Sequence, residues 1–385
     1  MNPLIPWMER AARIALRGHG LAEPNPMVGC VILDSSGNFV AEGYHGRCGG
    51  PHAEVEALRR AGARARNGTA VVTLEPCNHH GRTGPCSQAL LQAGVARVAY
   101  GCPDPNPKAA GGGDMLRAAG VDAFHLPCAL AERVTEPFLY RVRAGLPWVI
   151  AKWAQSADGR IAAPPGEQRW ISSAASRAMV HRERGRVDAI LTGMGTVLAD
   201  DPLLTVRNAR ARRTPVRVVW DPRLTIEVDR ALLRTARETP TIIACMPEAL
   251  AAHGSHASTL RECGAEVRAV DGLRSLLASL RTQCSTLPKG DLTPASTVLV
   301  EAGAGLVRQL HDEGLINDAW VFTAPHVIGD AGPRSVAPLS ATELAAMQCV
   351  WSGARGARST ETIDPVDHVD HVDHVELRRC IGANG

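Results

Sequence analysis

Apolar and polar stretches alternate along this chain in two successive α/β patterns. Trp7 to Arg17 carries apolar residues at helical spacing. Met27 to Leu33 is an apolar run of strand length, closed by the turn-forming Asp34-Ser35-Ser36-Gly37-Asn38, and a hairpin follows. The spacing then predicts a helix over His52 to Ala65, a strand over Thr69 to Leu74, a helix over Ser87 to Ala93 and a strand over Val95 to Gly101. Such alternation builds a layered α/β domain whose functional groups gather where strands end and helices begin. The pattern is complete near Gly145-Leu146-Pro147 and starts again at the strand Trp148 to Trp153. A helix over Ser173 to Arg184 follows, with strands over Asp188 to Thr192, Val216 to Trp220, Thr241 to Cys245 and Thr297 to Val300, then a helix over Leu306 to Glu313. A length of 385 residues exceeds one ordinary core, so two domains are expected, 1–146 and 147–385.

Composition narrows the function classes. The net charge is +3, from 42 basic and 39 acidic residues, so no polyelectrolyte partner is implied, and the few aromatics argue against a base-stacking nucleic-acid surface. No run approaches the roughly 18 to 20 apolar residues that span a membrane. Glu9, Arg10, Arg13 and Arg17 interrupt the N-terminal stretch, unlike a signal peptide. Eleven cysteines in such a chain read as reduced thiols of a cytoplasmic protein, most of them small buried hydrophobes.

Three of those cysteine and histidine positions carry chemistry. His52-Ala53-Glu54 together with Pro76-Cys77 and Cys86 supply one imidazole and two thiolates for zinc and a carboxylate beside them. Zinc held by three protein ligands keeps a position open, and it lowers the pKa of water there to about 7. Displacing ammonia from an amidine-like ring carbon needs hydroxide and a proton shuttle that is not a ligand, the role Glu54 fits. Residues two apart on a helix diverge by about 200°, so His52 and Glu54 flank the site rather than share one stripe. Nucleobase deaminases carry Pro-Cys-x-x-Cys, whereas eight residues, Asn78 to Pro85, separate Cys77 from Cys86 here.

The second pattern carries two glycine turns after strands. Asp188 to Thr192 runs into Gly193-Met194-Gly195-Thr196, and Val298 to Glu301 runs into Gly303-Ala304-Gly305. Glycines there let backbone N–H groups and a helix N-terminus approach a phosphate, and two such turns suggest a dinucleotide across strand ends. The Gly-x-Gly-x-x-Gly fingerprint of an ordinary Rossmann domain is absent.

The His-Ala-Glu motif, the Pro-Cys-x-His-His-Gly-Arg-Thr-x-Pro-Cys loop and the upstream Pro24-Asn25-Pro26-Met27-Val28-Gly29-Cys30 together resemble the RibD family of bifunctional riboflavin-biosynthesis deaminase/reductases. Lys152, Ser156, Asp158-Gly159-Arg160, Trp170-Ile171-Ser172, the Gly193 to Asp201 stretch and Val300 to Gly303 look like its reductase half. The resemblance implies an N-terminal cytidine-deaminase-like three-layer α/β domain and a C-terminal dihydrofolate-reductase-like domain. It implies deamination of a diamino-pyrimidinone bearing a phosphoribosylamino group, then NADPH-dependent reduction of the ribose. It implies His52, Cys77 and Cys86 as zinc ligands and Glu54 as proton shuttle. Asn25, His45 and Arg82 then hold the pyrimidine and its phosphoribosyl group. Ala154, Trp170, Thr196, Asp200, Gly303, Ala304 and Gly305 match the NADPH set, and Lys152, Gln168, Arg184, Leu204, Arg207 and Glu301 the reductase substrate set. Arg184 and Arg207 suit a phosphate, which a guanidinium fork grips bidentately. Asp200 and Lys152 both stand as proton sources for the reduction. Relatives of this kind self-associate, so a homo-oligomer is expected.

The chain departs from the family at Gly84, where Pro is usual, at Pro222, where many relatives have Ser, and at Ala157. Other readings of these residues exist. A structural zinc would recruit His79 or His80 as a fourth ligand. A tRNA or nucleoside deaminase would carry the shorter cysteine spacing, and a zinc-stabilised RNA-binding protein would leave Glu54 and both glycine turns idle. A decayed reductase beside an active deaminase is a further alternative, and Lys152 could be an exposed strand-edge residue. Val366 to His374 repeats Val-Asp-His three times; it reads as a short expansion before the last strand, with a metal-binding tract as the alternative.

Overall fold

Five strands, β1 (Gly29–Leu33), β2 (Phe39–Tyr44), β3 (Thr69–Val72), β4 (Arg97–Tyr100) and β5 (Asp122–His125), form the first sheet in the order β2-β1-β3-β4-β5. In this computed structural model β1 runs antiparallel to β2 and β3, while β3, β4 and β5 are parallel. The structure describes residues 2–80, 84–162, 171–281, 285–286, 292–329, 336–355 and 373–380. They form two compact units, Met1–Leu146 and Pro147–Gly385.

Every residue of β1 and β3 is buried, which explains why they read as continuous apolar runs. Side chains alternate across a strand, so such a run demands cover on both faces. Cys30 and Ile32 point to one side, where α2 (Ala53–Ala61) packs Ala53, Ala57 and Ala61. Val31 and Leu33 point to the other, against Met8, Ala11, Ala12 and Ala15 of α1 (Ile5–Ala15). A three-layer α/β/α unit results, with α3 (Cys86–Gln92) and α4 (Gly112–Ala118) adding Leu90 and Leu116 on the α2 side. Each large apolar side chain buried this way contributes roughly 1.5–3 kcal/mol. The last helix, α5 (Ala129–Ala144), carries Pro137 in its interior, and α4 opens on Gly111, Gly112 and Gly113. Those breaker residues hide both helices from sequence periodicity.

The second unit holds an eleven-stranded sheet. Its strands are β6 (Trp148–Gln155), β7 (Ala189–Gly193), β8 (Thr214–Trp220), β9 (Thr241–Cys245), β10 (Glu266–Ala269), the short β11 (Ser285–Thr286) and β12 (Leu292–Thr293), β13 (Thr297–Glu301), β14 (Asp318–Thr323), β15 (Gln348–Arg355) and β16 (Asp373–Arg379). The main order is β10-β9-β8-β7-β13-β6-β14-β16-β15, parallel from β10 to β14 and antiparallel for the last two strands. The chain leaves β6, builds outward from β7 to β10, and returns to insert β13 between β6 and β7. In open parallel sheets such a reversal of winding is where a binding crevice forms, here at the C-terminal ends of β6, β7 and β13. Lys152 lies on β6, a central strand, and its register partners are Glu301 on β13 and Trp320 on β14. A strand-edge role for Lys152 is thereby ruled out. The helices that follow β6 and β7 are α6 (Ala174–Arg184) and α7 (Met194–Asp200), and the helix Ala304–Asp312 follows β13. Buried Asp188 takes the Ser296 and Thr297 N–H groups at 2.8 and 2.9 Å and pairs with Arg213, fixing where β13 starts beside β7.

Candidate active sites

In the first unit the sequence elements converge on a cavity of about 430 Å³. His52 caps the N-terminus of α2 in extended backbone, Cys77 sits on the loop after β3, and Cys86 opens α3. Their ligating atoms all lie within 4.8 Å of one another. His52 Nδ1 is 3.2 Å from the Cys86 sulfur and 3.5 Å from the Cys77 sulfur. A tetrahedral zinc with ordinary bond lengths holds nitrogen and sulfur ligands about 3.5 Å apart, so these residues fit that ion. His79 lines the cavity but is not in the cluster, nor is His80, so the described residues supply three ligands rather than the closed four of a structural zinc.

The two thiols are linked electrostatically. A hydrogen bond from the Cys86 thiol, with help from His52, brings the Cys77 thiol down to about 4. Cys86 is pushed far up by the same shared hydrogen bond and by burial. Zinc binds cysteine as the thiolate, so holding the metal would require both thiols to give up their protons. Glu54, 4% exposed on the first turn of α2, also faces the cavity, and burial raises its carboxyl to about 7.

Asn25 and His45 line the same cavity, and the His45 ring meets the His52 ring edge-on at 5.3 Å between centroids. The Nδ1–H of His45 donates to the Pro51 carbonyl at 3.0 Å, which leaves Nε2 to accept from Asn25 Nδ2 at 3.2 Å. Burial holds the His45 ring below its ordinary pKa, in keeping with a neutral, oriented imidazole. Arg82 lies outside the described residues. Gly84 is exposed with nothing within 4 Å of a built Cβ, so no packing partner there demands the usual proline.

Sequence reasoning missed one wall of this cavity. Glu75, Asp104, Asn106 and Phe138 line it. Glu75 accepts the Asp104 N–H at 3.2 Å and the Gly113 N–H at 3.0 Å, and Asp104 in turn accepts the Asn106 N–H at 2.9 Å. A Cβ on Gly112 would stand 1.8 Å from the Pro76 carbonyl oxygen, so glycine is required where α4 crosses the cysteine loop. The available signal was Pro103-Asp104-Pro105-Asn106-Pro107, a cluster of turn formers just after β4.

In the second unit hydrogen bonds and strand register bring several of the remaining candidates together. Arg184, at the end of α6, donates from Nε and Nη2 to Glu301 at 2.5 and 2.9 Å, and from Nη1 to the Thr205 carbonyl at 3.0 Å. The guanidinium fork therefore faces a carboxylate. Leu204, buried with φ 50°, leads into this contact, and the N–H of exposed Arg207 donates to His181 Nδ1 at 3.1 Å. Burial and the Arg184 and Arg207 charges bring His181 down to about 4. Burial likewise pulls the Lys152 ammonium below its ordinary value, opposed by Glu301.

The two glycine turns also meet. The Gly303 N–H donates to Thr196 Oγ1 at 3.0 Å, which ties the start of the helix Ala304–Asp312 to α7. Helix therefore begins at Ala304, two residues earlier than the sequence spacing predicts. A Cβ on Gly195 or Gly305 would meet nothing within 4 Å, so both helix starts face open space. Asp200 is exposed at the end of α7, and Ala154 is half-buried on β6. Gln168 and Trp170 lie outside the described residues. Pro222 accepts the Met246 N–H through its carbonyl at 3.1 Å, and the Asp221 carboxylate takes the Thr225 and Ile226 N–H groups. That turn is hydrogen-bonded without a hydroxyl at position 222.

Known proteins resemble the whole of this arrangement. Residues 1–102 match the cytidine and deoxycytidylate deaminase zinc-binding region, and residues 147–358 match the RibD C-terminal domain. The riboflavin biosynthesis protein RibD of Escherichia coli is 38% identical over 348 residues, covering 84% of this chain and 88% of that protein. The RibD of Aquifex aeolicus is 36% identical over 340 residues, covering 86% and 91%. Among solved structures, Acinetobacter baumannii RibD superposes with a TM-score of 0.72 at 32% identity, over 97% of this chain and 98% of that one. A diaminohydroxyphosphoribosylaminopyrimidine deaminase/5-amino-6-(5-phosphoribosylamino)uracil reductase from Thermotoga maritima gives 0.75 at 28% identity, over 97% and 98%.

Proposed function

Because the chain belongs to the RibD family of riboflavin biosynthesis proteins, we propose that it performs two steps on one phosphorylated pyrimidine. The first unit deaminates 2,5-diamino-6-(5-phosphoribosylamino)pyrimidin-4(3H)-one, and the second reduces the ribosyl group of the product with NADPH. The observation that carries the first step is the His52, Cys77 and Cys86 cluster with buried Glu54 on the same cavity.

Zinc, when bound by those three side chains, supplies Lewis-acid activation of water near neutral pH. Glu54 takes up the proton released as water adds to the ring carbon and returns it to the departing amine. A carboxyl whose pKa lies near 7 suits both transfers. Asn25 and His45 hold the ring through a hydrogen-bonded pair whose orientation Pro51 fixes. Buried Asp104 and half-buried Asn106 supply polar groups on the wall that sequence reasoning missed. Arg82, by its place in the cysteine loop, is the candidate for the phosphate.

For the second step, Thr196, Asp200 and the start of the helix Ala304–Asp312 would hold NADPH, which supplies the hydride. Open space at Gly195 and Gly305 supports that fit, since phosphates bind where backbone N–H groups are not covered by side chains. Glu301 and Lys152 would face the ribose end, with Lys152 or Asp200 supplying the proton that accompanies the hydride. Arg207, exposed beside His181, is the better placed arginine for the phosphate, because the fork of Arg184 is engaged by Glu301. Trp170 and Gln168 keep their family roles within this proposal. Near-neutral charge and the free cysteines among the described residues fit a cytoplasmic enzyme acting on a small molecule rather than on nucleic acid or membrane, and self-association is expected from the family.

The test is a coupled assay on zinc-loaded full-length protein that follows ammonia release and NADPH oxidation together. Glu54→Gln should abolish both signals from the diamino substrate while sparing reduction of the deaminated compound. Ammonia without NADPH oxidation would refute the second half, and ammonia release unaffected by Glu54→Gln would refute the first.

A further inference from the structure

The third Val-Asp-His copy does more than lead into the final strand. Asp373, its acidic residue, begins β16 and is 0% exposed. A carboxylate taken fully out of water must meet donors. Its Oδ2 accepts the Ser173 N–H at 2.8 Å, 200 residues away in sequence. Ser173 is the N-cap of α6: its backbone is extended, and its Oγ accepts the Ser176 N–H at 3.3 Å. Asp373 thus takes a donor just outside the helix while Ser173 satisfies one within the first turn, and together they fix where α6 starts.

The position of that start matters because of what α6 carries. His181, which receives the Arg207 N–H, and Arg184, which forks onto Glu301, both hang from it. Glu301 stands in register with Lys152 across β13 and β6. Both Glu301 and Asp373 act on the Lys152 ammonium as favourable charges.

We propose that Asp373 is a positioning residue of the reductase site, holding the Ser173 N–H so that α6 presents His181 and Arg184 to Glu301 and the Leu204–Arg207 segment. The inference rests on the reductase reading of the second unit.

The experiment uses the zinc-loaded full-length chain, the deaminated pyrimidine and NADPH, with ammonia release from the diamino compound measured on the same preparations. Asp373→Ala removes the acceptor and should raise KM for the pyrimidine about ten-fold or more, the effect of losing a buried hydrogen bond to a charged group, while ammonia release stays at the wild-type rate. Asp373→Asn keeps an oxygen acceptor of the same reach and should stay within about three-fold of wild type. Ser173→Pro removes the donor together with the Oγ cap, at a φ of −64° that proline accepts, and should raise KM at least as much. Wild-type KM in Asp373→Ala or in Ser173→Pro overturns the proposal, as does an Asp373→Asn defect as large as that of Asp373→Ala. If Asp373→Ala fails to fold, Asp373→Asn and Ser173→Pro decide the matter between them. Absence of NADPH oxidation in the wild-type protein would sink the reductase reading itself, an outcome distinct from any difference among the variants.

Discussion

Glu301→Gln should destabilise the second unit by about 3 kcal/mol, because it strands a guanidinium that has little access to water. The Arg184 and Glu301 side chains are 12% and 11% exposed, and both carboxylate oxygens are engaged, at 2.5 and 2.9 Å. Unit charges about 4 Å apart at an effective dielectric constant of about 20 attract by about 4 kcal/mol. Desolvation of both groups offsets much of that attraction in the intact pair, but the single variant loses the attraction while Arg184 stays buried. Removing one member of a buried pair costs about 3–5 kcal/mol in comparable cases. Glutamine retains one acceptor oxygen, which places the effect at the lower end. The assay is urea unfolding followed by tryptophan fluorescence. Six of the seven tryptophans, Trp148, Trp153, Trp170, Trp220, Trp320 and Trp351, lie beyond residue 146, so the signal reports chiefly on the second unit. With an m-value of about 2–3 kcal/mol/M the midpoint should fall by roughly 1–1.5 M. Arg184→Met in the Glu301→Gln background should recover part of the loss, giving a coupling energy of at least about 1.5 kcal/mol. A Glu301→Gln loss under about 0.5 kcal/mol, or strict additivity in the double variant, would refute the buried-pair account.

Other consequences follow from the two sites. Dialysis against a zinc chelator should abolish ammonia release and leave reduction of the deaminated compound within about two-fold, since the cluster lies wholly in the first unit; parallel loss of both activities would contradict two separate sites. Acid should destabilise the second unit. Burial alone would raise the Glu301 carboxyl, but the Arg184 charge and hydrogen bonds outweigh it and hold it below the usual value. The Ser156 hydroxyl and the Ile328 N–H bring Asp158 to about 2. Depressed carboxylates stabilise the folded state above their unfolded pKa of about 4 and lose that contribution as pH falls through the folded values. Melting temperatures taken by tryptophan fluorescence should therefore drop as pH goes from about 5 toward 3, and less steeply in Glu301→Gln. An equal slope in wild type and variant would remove Glu301 as a cause.

Much of the first site was legible in the sequence because its ligands sit on short motifs whose residue types the chemistry dictates. An imidazole, two thiolates and a nearby carboxylate are few enough to recognise, and the strands before them are buried on both faces and so read as plain apolar runs. What the sequence could not give was the wall built by Glu75, Asp104 and Asn106. Those residues meet one another through hydrogen bonds between loops that follow different strands, and no local period encodes such a meeting. The same holds for α4 and α5, whose glycines and Pro137 run against helix propensity and are tolerated because tertiary packing of Leu116, Ala131 and Val134 outweighs it. In the second unit the sequence supplied both glycine turns and the candidate charges but not their pairing. Arg184 looked like a phosphate ligand until the insertion of β13 between β6 and β7 set Glu301 before its fork. Nothing local in the Val-Asp-His sequence marks Asp373; tertiary structure gives it a partner, because burial turns an ordinary carboxylate into a group that must find a donor, and that donor is the backbone of Ser173.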